Sequence, residues 1–317
     1  MTTTSNGHDP QFIYGSNPDA GGYFQHEGLK LYYEVYGAGP DLLLIHGNAS
    51  SIWGMKPQIE YFSRHYRVIV MDSRDHGRSA DAPGPLTFEA MADDLAALLD
   101  HVHAGPALVL GYSDGGIQAL LLGLRHPGKV AKIAAMAANL NPHGYVPTPS
   151  ARAGGRIVQI IKPPVANLRI VRMIRRRLSA EPAYLPARAR RVAALDREQP
   201  HIKPSALHGI KAPTLVLAAD HDLIADGHTL EIYHHIPNGQ LAIFPNATHA
   251  IPFEDPQLFN ETVDRFFRRP YAKIDRLPDT MKSLERIKAE YAAEHERVTP
   301  PQHRPGGLPS HGPSREL

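Results

Sequence analysis

The chain of 317 residues contains no cysteine. That absence excludes disulfides, thiol nucleophiles and cysteine-ligated zinc, although it identifies no compartment. An excess of charge is also missing. Lys and Arg number 34 against 32 Asp and Glu, a net +2 with histidine neutral, so nothing global points to nucleic acid. No apolar run approaches the length that spans a bilayer. No H-E-x-x-H pair suggests a zinc site, and no fixed-period repeat is visible. The opening MTTTSNGHDPQF has neither the basic nor the apolar segment of a secretory signal. The expectation is a soluble, cytoplasmic protein with no metal or cofactor, no integral membrane segment and no nucleic-acid partner. Assembly with further copies of the chain stays open.

What is present is a repeating alternation. Hydrophobic residues make up 42% of the chain, enough for one large α/β domain or two small ones. GYFQHEGLKLYYEVYG reads as two short strands about a turn. The apolar runs DLLLIHG (41–47), RVIVMDSR (67–74), PALVLGYS (106–113), KVAKIAAMAAN (129–139), TLVLAAD (214–220) and QLAIFPNA (240–247) fit strands buried on both faces. Helical patterns lie between them. LTFEAMADDLAALLDHV (86–102) puts Phe88, Met91, Leu95, Leu98, Leu99 and Val102 near one face, GIQALLLGLRHPG (116–128) follows the third run, and EDPQLFNETVDRFFRR (254–269) repeats the pattern. Strand and helix in alternation predict an α/β fold with a mostly parallel sheet of about eight strands, helices on both sides and a helical cap insertion.

The organisation expected from this pattern is a flexible stretch over 1–20, a core over 21–138 and 206–268, a cap over 139–205 and a charged, proline-rich, partly disordered tail over 269–317. Within the tail, DTMKSLERIKAEYAAEHER reads as a surface helix. Between 152 and 191 eleven Arg or Lys residues face one acid, Glu181. VANLRIVRMIRRRL (165–178) sets an apolar stripe beside Arg169, Arg172 and Arg176. It suits either a lid helix with a solvated basic face or one that meets an anionic surface or an acidic substrate.

The segment that carries chemistry is VLGYSDGG (109–116). Ser113 stands between glycines where a strand ends and a helix begins. Such a turn exposes a hydroxyl in strained geometry, and Gly111 and Gly115 suit a close approach of strand and helix. A plain helix-capping serine is the bland alternative. A serine needs a base, and the base an orienting acid. Later strand ends offer Asp220 and Asp222, then His249, in the order Ser, Asp, His.

At these residues the chain resembles the α/β-hydrolase family. The matching pieces are LLLIHGNASSIW, VIVMDSRDHGRS, LVLGYSDGG, TLVLAADHDLI and PNATHAIPFEDP. The resemblance implies Ser113, Asp222 and His249 as catalytic residues and the backbone N–H groups of Asn48 and Asp114 as the oxyanion hole. Its acid loop has Ala219 where glycine is usual and Leu223 where proline often follows, which keeps Asp220 in view. The loop DSRDHGRS departs from the family by Asp75 in place of glycine and reads as structural. GYSDGG is similar to valacyclovir-type hydrolases that cleave esters of α-amino acids. Asp114 is therefore either a helix-start carboxylate favoured by the helix dipole or a reader of a substrate ammonium. His46 and Trp53 are further substrate-binding candidates. The implied activity is hydrolysis of a small to medium carboxylic ester. Rivals on the same fold are a lactonase, an amidase, a C–C bond hydrolase, a haloperoxidase or an acyltransferase, and the rival of another class is a non-catalytic ligand-binding protein.

Overall fold

The structure, a computed structural model, describes residues 13–146 and 185–298. The arginine-rich stretch 165–178 and the end of the chain beyond 298 lie outside the described residues. The chain divides into two compact units, Met1–Pro270 and Tyr271–Leu317.

The first unit is built on one eight-stranded sheet in the order β1-β2-β4-β3-β5-β6-β7-β8. β1 (Gly21–His26) and β2 (Leu29–Tyr36) form a hairpin turned by Glu27 and Gly28, both at positive φ. β2 runs antiparallel to β4 (Arg67–Met71). From β4 onward β3 (Asp41–Ile45), β5 (Ala107–Tyr112), β6 (Val130–Met136), β7 (Thr214–His221) and β8 (Gly239–Thr248) pair in parallel. This is the α/β architecture that the alternating apolar runs predict.

The central strands β3 and β4 are apolar and buried beyond their first residue because both faces are covered. Along β3, Leu43 and Ile45 join Ile69, Val109, Ile117 and Leu120 on one side, against α2 (Phe88–His101) and α3 (Asp114–Arg125). Leu42 and Leu44 join Ile59, Phe62, Phe259 and Phe267 on the other, against α1 (Lys56–Phe62) and a later helix. Alternate side chains thus serve alternate layers. Each fully buried Leu, Ile or Phe contributes about 1.5–3 kcal/mol of transfer free energy. Phe62, wholly buried, is a position where truncation to alanine costs about 3–5 kcal/mol.

The remaining helices are α4 (Leu185–Glu198), α5 (Asp226–His235), the single turn α6 (Ile251–Glu254), α7 (Pro256–Arg268) and α8 (Arg276–Val298). The start of α7 is fixed by Asp255, whose carboxylate accepts the Leu258 N–H at 3.0 Å, and by Pro256 in the first turn. α8 lies in the second unit.

Of the N-terminal stretch expected over 1–20, residues 13–20 are described and are tied to the sheet. The buried Glu34 carboxylate accepts the backbone N–H groups of Gly15 at 2.9 Å and Asn17 at 2.8 Å, which pins this segment. Residues 1–12 lie outside the described residues. For the site, the useful outcome of the topology is directional. β3, β5, β7 and β8 run the same way, so the loops that follow them gather at one end of the sheet.

Candidate active site

β5 ends at Tyr112 and α3 begins at Asp114, so Ser113 alone makes the turn. Its backbone sits at φ 56° and ψ −119°, a region that costs a non-glycine residue about 1–3 kcal/mol. The surroundings hold it there. The Ser113 N–H donates to Met136 O at 2.8 Å, and its carbonyl accepts the Gly116 N–H at 2.7 Å. The glycines are required by crowding. A Cβ on Gly111 would fall 2.0 Å from the Gly115 carbonyl oxygen, and one on Gly115 would fall 2.2 Å from that of Ile45.

His249 follows β8 and presents Nε2 at 3.1 Å from Ser113 Oγ. Its Nδ1 lies 2.7 Å from Asp222 Oδ1. Asp222 is buried after β7, and its carboxylate is held by two further donors, the Ile224 N–H at 3.1 Å and the Ala219 N–H at 3.2 Å. Asp220 has different work. It accepts the N–H groups of Asn246 at 2.7 Å and Ala247 at 3.0 Å, tying the end of β7 to β8. These bonds, with His221 beside it, hold its carboxyl down at about 2. Of the two acids left open by the sequence, the geometry brings Asp222 to the histidine.

With this arrangement in view, the comparisons are decisive for ancestry. A profile of the Alpha/beta hydrolase family matches residues 42–262. The chain belongs to the alpha/beta hydrolase family. A protein of Azorhizobium caulinodans that carries the name of a carbamate hydrolase, RutD, is 27% identical over 256 residues, covering 73% of this chain and 92% of its own. The 3-oxoadipate enol-lactonase 2 of Acinetobacter baylyi is 28% identical over 265 residues, 76% of this chain and 94% of its own. Among solved structures, a thermophilic esterase from Thermogutta terrifontis superposes with a TM-score of 0.61 at 26% identity, over 79% of this chain and 97% of that one.

In this hydrolase Asp114 is buried directly beside Ser113. Desolvation raises its carboxyl to about 7, the charge of Asp196 adds to the rise, and a hydrogen bond from Asn48 Nδ2 at 3.0 Å opposes it. Asp196 stands near the end of α4 and accepts the Tyr145 hydroxyl at 2.6 Å. Burial, then the charges of Asp196 and Asp114, push that phenol well up. Sequence reasoning missed both Asp196 and Tyr145. The basic run it noticed stops at 191, and nothing in the pattern signals that the acid just beyond turns toward Ser113's neighbour. Tyr112 also went unnoticed; its ring lies 5.3 Å from that of His249 and 5.3 Å from that of Phe253.

His46 is corrected as a substrate-binding candidate. It is 1% exposed. Nδ1 donates to Gly47 O at 2.8 Å and Nε2 accepts the Ser73 N–H at 3.1 Å, so both ring nitrogens serve the backbone. Burial, with His76 beside it, pulls its pKa down to about 3 and keeps it neutral. Trp53 is 37% exposed in the turn Ile52–Met55. Asp114 opens α3, where first-turn N–H groups have no intrahelical acceptor, as an oxyanion donor must. The loop after β4 is held by Asp72, which accepts the N–H groups of Ile52 and Arg78, each at 2.8 Å. Asp75, standing at φ 63° where the family has glycine, accepts the Ala82 N–H at 2.7 Å and an ion pair from Arg191 of α4.

Proposed function

We propose that this protein is a serine hydrolase that cleaves small to medium carboxylic esters through an acyl-enzyme. The observation that carries the reading is the continuous relay from Ser113 Oγ to His249 at 3.1 Å and from His249 to Asp222 at 2.7 Å. His249 Nε2 takes the hydroxyl proton as Ser113 attacks the ester carbonyl. Asp222, anchored by two backbone donors, keeps the proton of the imidazole on Nδ1 and stabilises the cation that forms. The backbone N–H groups of Asn48 and Asp114 receive the developing oxyanion; such a donor is worth about 100- to 1,000-fold in rate. His249 then hands its proton to the leaving alcohol. Water, activated by the same nitrogen, attacks the acyl-enzyme and releases the acid and Ser113.

A second element concerns the substrate. Asp114 and Asp196 bring two carboxylates together where donors are few. A buried site of that kind gains from a cation, which favours an acyl group bearing an ammonium, in keeping with the resemblance of GYSDGG to hydrolases of α-amino acid esters. The test is hydrolysis of two matched esters, one with an α-amino group and one with hydrogen in its place. The expected result is turnover of both with preference for the amine. Labelling of Ser113 by a fluorophosphonate accompanies it. Failure to label folded protein and failure to hydrolyse either ester would overturn the enzymatic reading in favour of a ligand-binding scaffold. Hydrolysis of both esters at equal rates would leave the mechanism and remove the ammonium.

A further inference from the structure

The second unit contains an apolar surface that the chemistry does not use. Along α8, Leu277 is 70% exposed, Met281 48%, Leu284 46%, Ile287 41% and Tyr291 69%. At about 100° per residue these five lie within about 60° of Leu284 on either side, forming one stripe. Their spacing has a particular symmetry. The gaps along the chain are four, three, three and four residues, the same in both directions. A helix with such a stripe is complementary to itself when reversed. Antiparallel pairing sets Leu284 on Leu284, Met281 on Ile287 and Leu277 on Tyr291, which is the isologous contact of a two-fold dimer.

Charge selects the same arrangement. Residues 276–288 carry four basic side chains, Arg276, Lys282, Arg286 and Lys288, against two acids, while 289–294 carry Glu290, Glu294 and no basic group. Parallel pairing would lay like on like. In the antiparallel register Glu290 and Glu294 of the second copy fall about 3 Å along the axis on either side of Arg276, on the same flank of the stripe. Over 276–294 acids and bases number four each, so the helix lacks the cationic face with which an amphipathic helix binds anionic lipid.

We propose that α8 is a dimerisation helix, pairing antiparallel with α8 of a second copy about a two-fold axis at Leu284. One helix pair buries less than the roughly 1,200–2,000 Å² of a standard stable interface, so the dimer dissociates on the order of micromolar concentration.

The absence of cysteine makes the test direct. Leu284→Cys and Leu277→Cys each introduce one thiol into the full-length protein. Oxidised at high concentration, Leu284→Cys forms a disulfide-linked dimer, because the two thiols meet at the axis. Leu277→Cys does not, because the two positions stand about 21 Å apart in the antiparallel pair. Cross-linking of both variants would establish parallel pairing and overturn the register; cross-linking of neither, with a wild type that sediments as a monomer across a dilution series, would overturn the dimer. Sedimentation of Arg276→Glu is expected to show at least about tenfold weaker association, restored when Glu290→Arg and Glu294→Arg are added. No recovery in the triple variant would reject the charge pairing.

Discussion

Two buried carboxylates flank Ser113, and their surroundings treat them in opposite ways. Asp222 is met by the Ala219 and Ile224 N–H groups and by His249. Asp114 is met, among the described residues, by the side chain of Asn48, with Asp196 as a charged neighbour of the same sign. A carboxylate supplied with donors is an anion ready to hold an imidazolium. One buried with few donors either carries a proton near neutrality or draws in a cation. The same residue type therefore does two jobs on two sides of one hydroxyl, and the number of donors decides which.

The comparison can be broken most severely by removing what both acids border. Ser113→Ala is expected to lower kcat by about a millionfold, by analogy with serine-protease triads; turnover at the wild-type rate in a purified variant would end the assignment. Next comes the donor-rich side. Asp222→Asn should lower kcat by about 1,000- to 10,000-fold, since the amide no longer fixes the imidazole tautomer. Asp220→Asn, which only loosens the tie between the ends of β7 and β8, should cost less than about tenfold. The reverse ranking in steady-state kinetics would transfer the orienting role to Asp220.

On the donor-poor side the effect is on choice of substrate. Asp114→Asn should reduce the kcat/KM preference for the amino ester over its deaminated match by about 10- to 100-fold, the worth of one buried charge-assisted contact. Asp196→Asn should give a smaller loss in the same direction. A preference unchanged in both variants would return Asp114 to the helix dipole alone.

The smallest effect is on stability and has a definite sign. Asp114 keeps its proton in the fold up to about 7, above the usual carboxylate value of 3.8. The native state therefore binds more protons than the unfolded chain between those values, and its ionisation costs stability as pH rises through that window. Asn has no proton to lose. Thermal unfolding should give Asp114→Asn a higher Tm than wild type at pH 8, corresponding to about 1–3 kcal/mol of added stability at most, with the difference fading toward pH 4. An advantage that grew on acidification would contradict this environment for Asp114.

Much of this was legible beforehand, for identifiable reasons. The sheet could be read because parallel strands buried on both faces leave continuous apolar runs such as LLLI and VIVM. Ser113 and His249 could be read because each lies where an apolar run stops. Asp222 and Asp220 are two residues apart, and only the fold reveals that one turns inward while the other staples two strands. His46 misled because its place next to Gly47 fits a site residue, whereas its ring is spent on the Gly47 carbonyl and the Ser73 N–H. Asp196 and Tyr145 were illegible because their meeting depends on how α4 lies against the segment after β6, a tertiary fact with no local pattern.

The seat of α4 has a consequence for sequence variation. Arg188 donates to the carbonyls of Gly77 and Ser79 at 3.0 and 2.9 Å, and Arg191 to those of Ala82 and Gly84 at 2.9 and 2.7 Å. Carbonyl oxygens survive any substitution that preserves the path of the chain. The obligations of the two partners are thus unequal: the loop can drift at positions such as Ala82 so long as its course is kept, while the two guanidinium groups cannot be exchanged for lysine without losing the fork that spans two acceptors. A library that varies this contact should hold Arg188 and Arg191 constant together with their ion-pair partners Asp81 and Asp75, and spend its diversity on loop positions that lend only a carbonyl.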